Sequence, residues 1–108
     1  MTDWLALEHA EAKRDGARPV SNSGRGHKEK GDARLGNFTI DYKMSAKQVT
    51  ITKKMWAKVC SDATRNTRSD PALKLVIGEE DGPKTRLWVI DDTMFALMLE
   101  AYKEKYEV

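Results

Sequence analysis

The sequence predicts an α/β fold, a mixed five-stranded sheet with helices on its faces, and three observations carry that prediction. Residues 31–43 hold a two-residue turn signal between short extended runs. Two further apolar runs, at 72–77 and 86–90, have the composition of sheet strands. Three segments with helical apolar spacing stand before, between and after these strands. The resulting order is helix, three strands, helix, two strands, helix. At 108 residues this is a single domain, 1–108, with room for one modest core.

The first helix is expected over residues 3–15, where Trp4, Leu5, Leu7 and Ala12 supply apolar surface and Gly16 a stop. Ala17-Arg18-Pro19-Val20-Ser21 reads as a short strand, with Pro19 favouring an edge or a strand start because it has no N–H to donate. Residues 21–31 contain three glycines and no apolar side chain, and are expected to form a mobile loop. Gly36-Asn37 then turns a hairpin spanning roughly 31–43. Period-two alternation places Phe38, Ile40 and Tyr42 on its buried face and Thr39, Asp41 and Lys43 on the other.

Thr52 is an N-cap for a second helix running to about residue 66, with Met55, Trp56, Val59, Cys60 and Ala63 as its buried stripe. Asp70-Pro71 is expected to break the chain. The runs from Ala72 to Ile77 and from Arg86 to Ile90 read as strands of a covered sheet interior, with Trp56 and Trp88 in the core. Asp91-Asp92-Thr93 caps a last helix over 93–105 and puts negative charge at its start. Its stripe of Met94, Phe95, Met98, Leu99 and Tyr102 either covers the sheet or contacts a second subunit.

Charge and composition exclude several classes. No apolar run is long enough to span a bilayer, and the N-terminus lacks the basic segment and apolar stretch of an export signal. The single Cys60 has no intramolecular disulfide partner, and no Cys/His set has zinc spacing. A reducing, cytoplasmic setting follows, with no membrane partner and no organic cofactor. The net charge of +2 hides an uneven distribution. Lys43, Lys47, Lys53, Lys54 and Lys58 lie in a stretch with no acid between Asp41 and Asp62, and Arg25, Lys28 and Lys30 cluster in the polar loop. Basic character thus gathers around the hairpin, as it does where a polyanion approaches.

The same hairpin carries the chemistry. Asp41 and Lys43 project from one strand face, and Asp32 arrives from the neighbouring strand. Paired carboxylates suit a hard divalent cation, which prefers oxygen ligands. An exposed Asp41–Lys43 ion pair alone would be worth well under about 1 kcal/mol.

An acidic first helix, Ser21-Asn22-Ser23-Gly24 in a basic loop, Gly31-Asp32, Asp41-Tyr42-Lys43 on the following strand, a lysine-rich helix and a strand opening at Pro71 occur here in that order. This order resembles the PD-(D/E)xK nuclease superfamily, most closely its small archaeal-type Holliday junction resolvases and their phage relatives. The resemblance covers nearly the whole chain and implies a restriction-endonuclease-like core. Asp41 stands where the family often carries a glutamate, one methylene longer. The resemblance implies Mg²⁺- or Mn²⁺-dependent hydrolysis of phosphodiesters, with Asp32 and Asp41 as ligands, helped by the Tyr42 carbonyl and by a first-helix acid. Glu8 is preferred for that acid, Glu11 is one turn away, and Asp3 is a more distant candidate.

In that scheme Lys43 positions the attacking water and stabilises the transition state. Ser21 and Ser23 sit where the resolvase relatives place a serine near the site. Arg25, Lys28 and Lys30 are candidate phosphate contacts, and Lys47, Lys53, Lys54 and Lys58 extend the track, with helix geometry letting only some of them face DNA. His27 is an exposed side chain or a phosphate contact rather than a general base. The implied partner is branched double-stranded DNA in a bacterial, archaeal or phage-infected cell. The implied assembly is a homodimer, because resolving a four-way junction needs paired cuts. Two other readings stand beside it: a related small nuclease acting on flap, nicked or foreign DNA, and a non-catalytic nucleic-acid-binding module.

Overall fold

Helix α1 (Trp4–Asp15) ends where the chain reverses its twist: Gly16 takes φ +75°, a region that costs glycine nothing. The Gly16 N–H bonds the Lys13 carbonyl at 3.1 Å and the Ala17 N–H bonds the Ala12 carbonyl at 2.8 Å, which satisfies two carbonyls of the last turn. The computed structural model describes residues 4–19, 33–66 and 68–107. The predicted loop at 21–31 and the Val20-Ser21 end of the first strand lie outside them.

The strands are β1 (Arg18–Pro19), β2 (Ala33–Leu35), β3 (Phe38–Ser45), β4 (Asp70–Ile77) and β5 (Thr85–Val89), arranged in sequence order across one sheet. Gly36, at φ +56°, turns the β2–β3 hairpin at the position the sequence marks. Its register sets Ala33 opposite Ile40 and Leu35 opposite Phe38. The β1–β2, β2–β3 and β4–β5 pairs are antiparallel, whereas β3 and β4 run parallel. A parallel pair needs a crossover, and α2 (Lys53–Arg65) supplies it. Thr52 caps that helix, its Oγ1 accepting the Met55 N–H at 3.1 Å, an interaction typically worth about 1 kcal/mol. The last helix, α3 (Asp92–Tyr106), is capped by Asp91, whose Oδ1 accepts the Met94 N–H at 2.7 Å.

The protein is therefore α/β, with a mixed five-stranded sheet and three helices, of which α3, expected on a sheet face, has no buried residue. The core has two halves. On one face Ala12 and Ala17 pack against Ala33, Ile40, Tyr42 and Ala72; on the other Val59 of α2 packs against Leu73 and Leu75, flanked by Trp56 and Val49.

Four local expectations need correction. Pro71 begins β4 rather than breaking the chain; it faces Thr39 as the second residue of the strand, where a missing N–H is tolerated. β5 is an edge strand rather than a covered interior strand, paired among the described residues only with β4. Trp88 consequently remains 46% exposed, outside the core. Trp4 and Leu5 of α1 are exposed too, while Glu11 is buried beside Ala12. The reason lies in Lys74: a lysine in the middle of β4 needs acids above it, and α1 turns its acidic side to the sheet.

Candidate active site

Alternation along β3 directs Ile40 and Tyr42 toward α1 and Thr39 and Asp41 toward α2. The α2 crossover lies over the face that was expected to be open, so Asp41 is 2% exposed rather than projecting into solvent. Lys58, one turn before Asp62 on α2, places its Nζ 3.6 Å from Asp41 Oδ2 and donates to Asp62 Oδ2 at 3.0 Å. Around the start of β3 a hydrogen-bonded row seals the same face. The Thr39 and Ser69 hydroxyls meet at 2.6 Å, Asn66 Nδ2 donates to Thr39 Oγ1 at 3.2 Å, and Ser69 Oγ donates to the Ala63 carbonyl at 3.1 Å. Two residues past Asp41 the cover ends, and Lys43 is half-buried.

At that carboxyl end of β3 a hollow of about 320 Å³ opens, lined by Glu8 and Trp4 of α1, by Tyr42, Lys43 and Ser45 of β3, and by Gln48 beyond it. The fold thus brings the preferred first-helix acid and the β3 lysine, far apart in sequence, to one concavity. Asp41 lies two residues before Lys43, buried beneath α2. Lys47, Lys53 and Lys54 are exposed, the first on the connection after β3 and the other two in the opening turn of α2. Asp32, Ser21, Ser23, Arg25, Lys28 and Lys30 lie outside the described residues.

A second charged cluster escaped sequence reasoning. Lys74 Nζ, 2% exposed, donates to Glu11 Oε2 at 2.7 Å and to Asp15 Oδ1 at 2.6 Å. Arg86 Nε donates to Glu11 Oε2 at 2.6 Å, and the Tyr42 hydroxyl donates to Asp15 Oδ2 at 2.9 Å. Burial pushes the Glu11 carboxyl up, but hydrogen bonds from Arg86 and Lys74 outweigh it and hold the group below its ordinary value. The hydrogen bond to Glu11 likewise raises the Arg86 guanidinium. The signal was present in the sequence: Lys74 interrupts an apolar run, and Glu11 and Asp15 share a helix face at i, i+4. The cluster also separates the two candidates for the first-helix acid. Glu11 is committed to two cations, while Glu8 borders the hollow.

Among the described residues no group of three or more His, Cys, Asp or Glu side chains is placed to hold a metal ion. The expected set draws on Asp32, outside that description. The donors within it, the Asp41 and Glu8 carboxylates and the Tyr42 carbonyl, are all oxygen, a chemistry that fits a hard divalent cation. Among the described residues, no helix is long and apolar enough to cross a membrane. No protein-family model, no curated protein and no solved structure matches the chain.

Proposed function

We propose that the protein is a metal-dependent, structure-selective DNA endonuclease that acts as a Holliday junction resolvase in the cytoplasm of a bacterial, archaeal or phage-infected cell. The observation that carries this reading is the hollow at the end of β3, where Glu8 of α1 and Lys43 of the Asp41-Tyr42-Lys43 motif line one surface. The hairpin register supports it. Ala33, next in sequence after Asp32, pairs with Ile40, next before Asp41. Exposed Lys47, on the connection after β3, and Lys53 and Lys54, in the opening turn of α2, would supply the field that draws in a phosphate backbone.

In this proposal the ligands are Asp32, Asp41, Glu8 and the Tyr42 carbonyl. A Mg²⁺ or Mn²⁺ ion held there supplies an acidified water and neutralises charge on the phosphoryl oxygens. Lys43 orients the attacking water and offsets the negative charge that develops as the bond to phosphorus forms. Lys58 pairs with Asp41 at 3.6 Å on the α2 face, and a cation bound by Asp41 would have to displace it. Paired cuts in opposing strands need two such centres, so the active form is a homodimer.

One observation favours a different reading. Asp41 is buried and ion-paired with Lys58, as an acid that only balances charge in a nucleic-acid-binding module would be.

Nicking of labelled four-way, flap, nicked and linear DNA, with Mg²⁺ or with EDTA, separates the readings. The resolvase cuts the four-way junction in opposing strands and only with the metal. Preference for flaps or nicks moves the assignment to another small nuclease. Binding without cleavage under any metal identifies the binding module. Asp32→Asn and Asp41→Asn sharpen the test. Loss of an outer-shell partner alone costs metal sites about 10–100-fold, so loss of a ligand should slow cleavage at least about 10²-fold. Junction affinity should stay equal or tighten, because a charge that repels phosphate is gone. Near-normal cleavage in both variants rules out this metal site.

A further inference from the structure

Four residues of α1, Trp4, Glu8, Glu11 and Asp15, fall at i, i+4, i+7 and i+11 and so form one stripe along the helix. The second half of the stripe is fixed to the sheet by Lys74, which binds Glu11 at 2.7 Å and Asp15 at 2.6 Å. The first half borders the hollow at the end of β3. Trp4 therefore shares the sheet-facing stripe, yet it belongs to neither half of the core and is 40% exposed. A tryptophan on such a stripe ordinarily buries most of its ring. Here the ring forms part of the wall of an open concavity.

We infer that Trp4 is a stacking platform for one unpaired DNA base, and that the hollow takes that single nucleotide. The remaining wall suits it. Met44 and Val49 add apolar surface beside the indole, and Lys43 offers an ammonium to the nucleotide's phosphate. Ser45 and Gln48 carry groups that both donate and accept hydrogen bonds. Those two can follow the edge of any base, and stacking is equally tolerant because every base has a π-face. At about 320 Å³ the hollow stands at the small end of ligand clefts, which run from about 300 to 1,000 Å³. That is room for one nucleotide and not for a duplex.

No other aromatic ring among the described residues offers such a surface at this site. Tyr42 also lines the hollow, but it is 3% exposed and its hydroxyl donates to Asp15 at 2.9 Å. Trp56 flanks the core beneath α2, and Phe95 and Tyr102 line a separate hollow on α3. The inference rests on the proposed nuclease reading and deepens it by naming what makes the substrate recognisable. A base already free of its partner enters the hollow at little cost, whereas a paired base must first leave the stack. Branch points, bulges and gaps are thus favoured over continuous duplex.

The test is equilibrium binding in EDTA, where nothing is cut, so its outcome is separate from that of the cleavage assay. Fluorescence anisotropy compares three labelled duplexes: one with a single unpaired thymine, one with an abasic residue at that position, and one fully paired. The unaltered protein should bind the thymine bulge about tenfold more tightly than either of the others. Trp4→Ala should make the three equal and leave affinity for the paired duplex unchanged. Trp4→Phe, which keeps a ring, should retain a clear preference. Both variants should keep the far-UV spectrum, because Trp4 lies outside both halves of the core. The abasic comparison uses the unaltered protein and decides the matter even if Trp4→Ala fails to fold. Equal binding of the thymine and abasic bulges overturns the inference, as does a preference that survives Trp4→Ala, while metal-dependent cleavage would still stand. A base preference in a protein that cuts no DNA under any metal keeps the platform and removes the nuclease.

Discussion

The two faces of the sheet bury acids in opposite ways. Beneath α1, Glu11 and Asp15 are held by Lys74 at 2.6–2.7 Å, and Arg86 and the Tyr42 hydroxyl close the remaining positions. Beneath α2, Asp41 faces Lys58 at 3.6 Å, an ion-pair distance rather than a hydrogen bond, and that lysine is also shared with Asp62. Lys74 is almost wholly buried, whereas the Lys58 side chain is 63% exposed. The first arrangement is closed and fixes a helix in place. The second keeps an acid within a residue or two of the Glu8–Lys43 hollow, with a cation that can move aside. On the proposed reading the difference separates a structural cluster from the metal-binding one, although both are built from carboxylates and lysine.

Breaking the closed side should have the largest effect. Lys74→Met keeps the volume of the side chain but leaves Glu11 and Asp15 facing each other without their shared ammonium. Removing one partner of a buried ion pair costs about 3–5 kcal/mol, and a 108-residue domain has little more to lose. Thermal and urea denaturation should show that loss at neutral pH. Lowering the pH should partly rescue the variant, because protonating the acids relieves their repulsion. A variant as stable as wild type would show that the cluster does not hold α1 down.

Legibility in the sequence followed the same divide. Local signals were read at the right place: the Gly36-Asn37 turn, the Thr52 cap, the Asp91 cap and the stop at Gly16 all depend on residues a few positions apart. So was the alternation that separates Tyr42 from Asp41. What sequence could not supply was which helix covers which face. Period two says that Asp41 and Tyr42 point oppositely, but only the parallel β3–β4 crossover decides that α2 lies over Asp41. The Lys74 cluster was hidden for a related reason. Its acids come from a helix that starts the chain and its lysine from a strand beyond residue 70, so no short window contains the pair. Trp88 misled because an edge strand and a central strand share the same residue preferences.

The first-helix acids offer a comparison across the divide. Glu11→Gln should cost stability, because Arg86 and Lys74 lose a charged acceptor. Glu8→Gln should leave stability almost unchanged and slow junction cleavage, because Glu8 borders the hollow and is only half-buried. The pH dependence follows from the lowered Glu11 carboxyl. A group whose value falls on folding stabilises the native state above its ordinary value of 4.5, and that contribution disappears as pH drops through the lower, folded value. Wild type should therefore lose stability below that point more steeply than Glu11→Gln. If Glu11→Gln instead kills cleavage in a fully folded protein, the catalytic acid is Glu11.

A smaller stability effect than that of Lys74→Met should come from Lys58→Met. Its ammonium is largely in water, which screens the pair, but Asp41 is 2% exposed, so the melting temperature should fall, though by less than for Lys74→Met. Its main effect belongs to the site. In the proposed site Lys58, 3.6 Å from Asp41 Oδ2, would compete with a divalent cation for that carboxylate, and withdrawing it would remove both a positive charge that repels the metal and a partner that must be displaced. Cleavage by Lys58→Met should half-saturate at lower Mg²⁺ than wild type, with junction binding a little weaker from the lost charge. The same shift should appear without DNA, as tighter Mn²⁺ binding in a calorimetric titration, absent when Asp41→Asn is added. An unaltered metal requirement would place Asp41 on the structural side of the comparison, beside Glu11 and Asp15, and leave the α2 face with no reactive acid among the described residues.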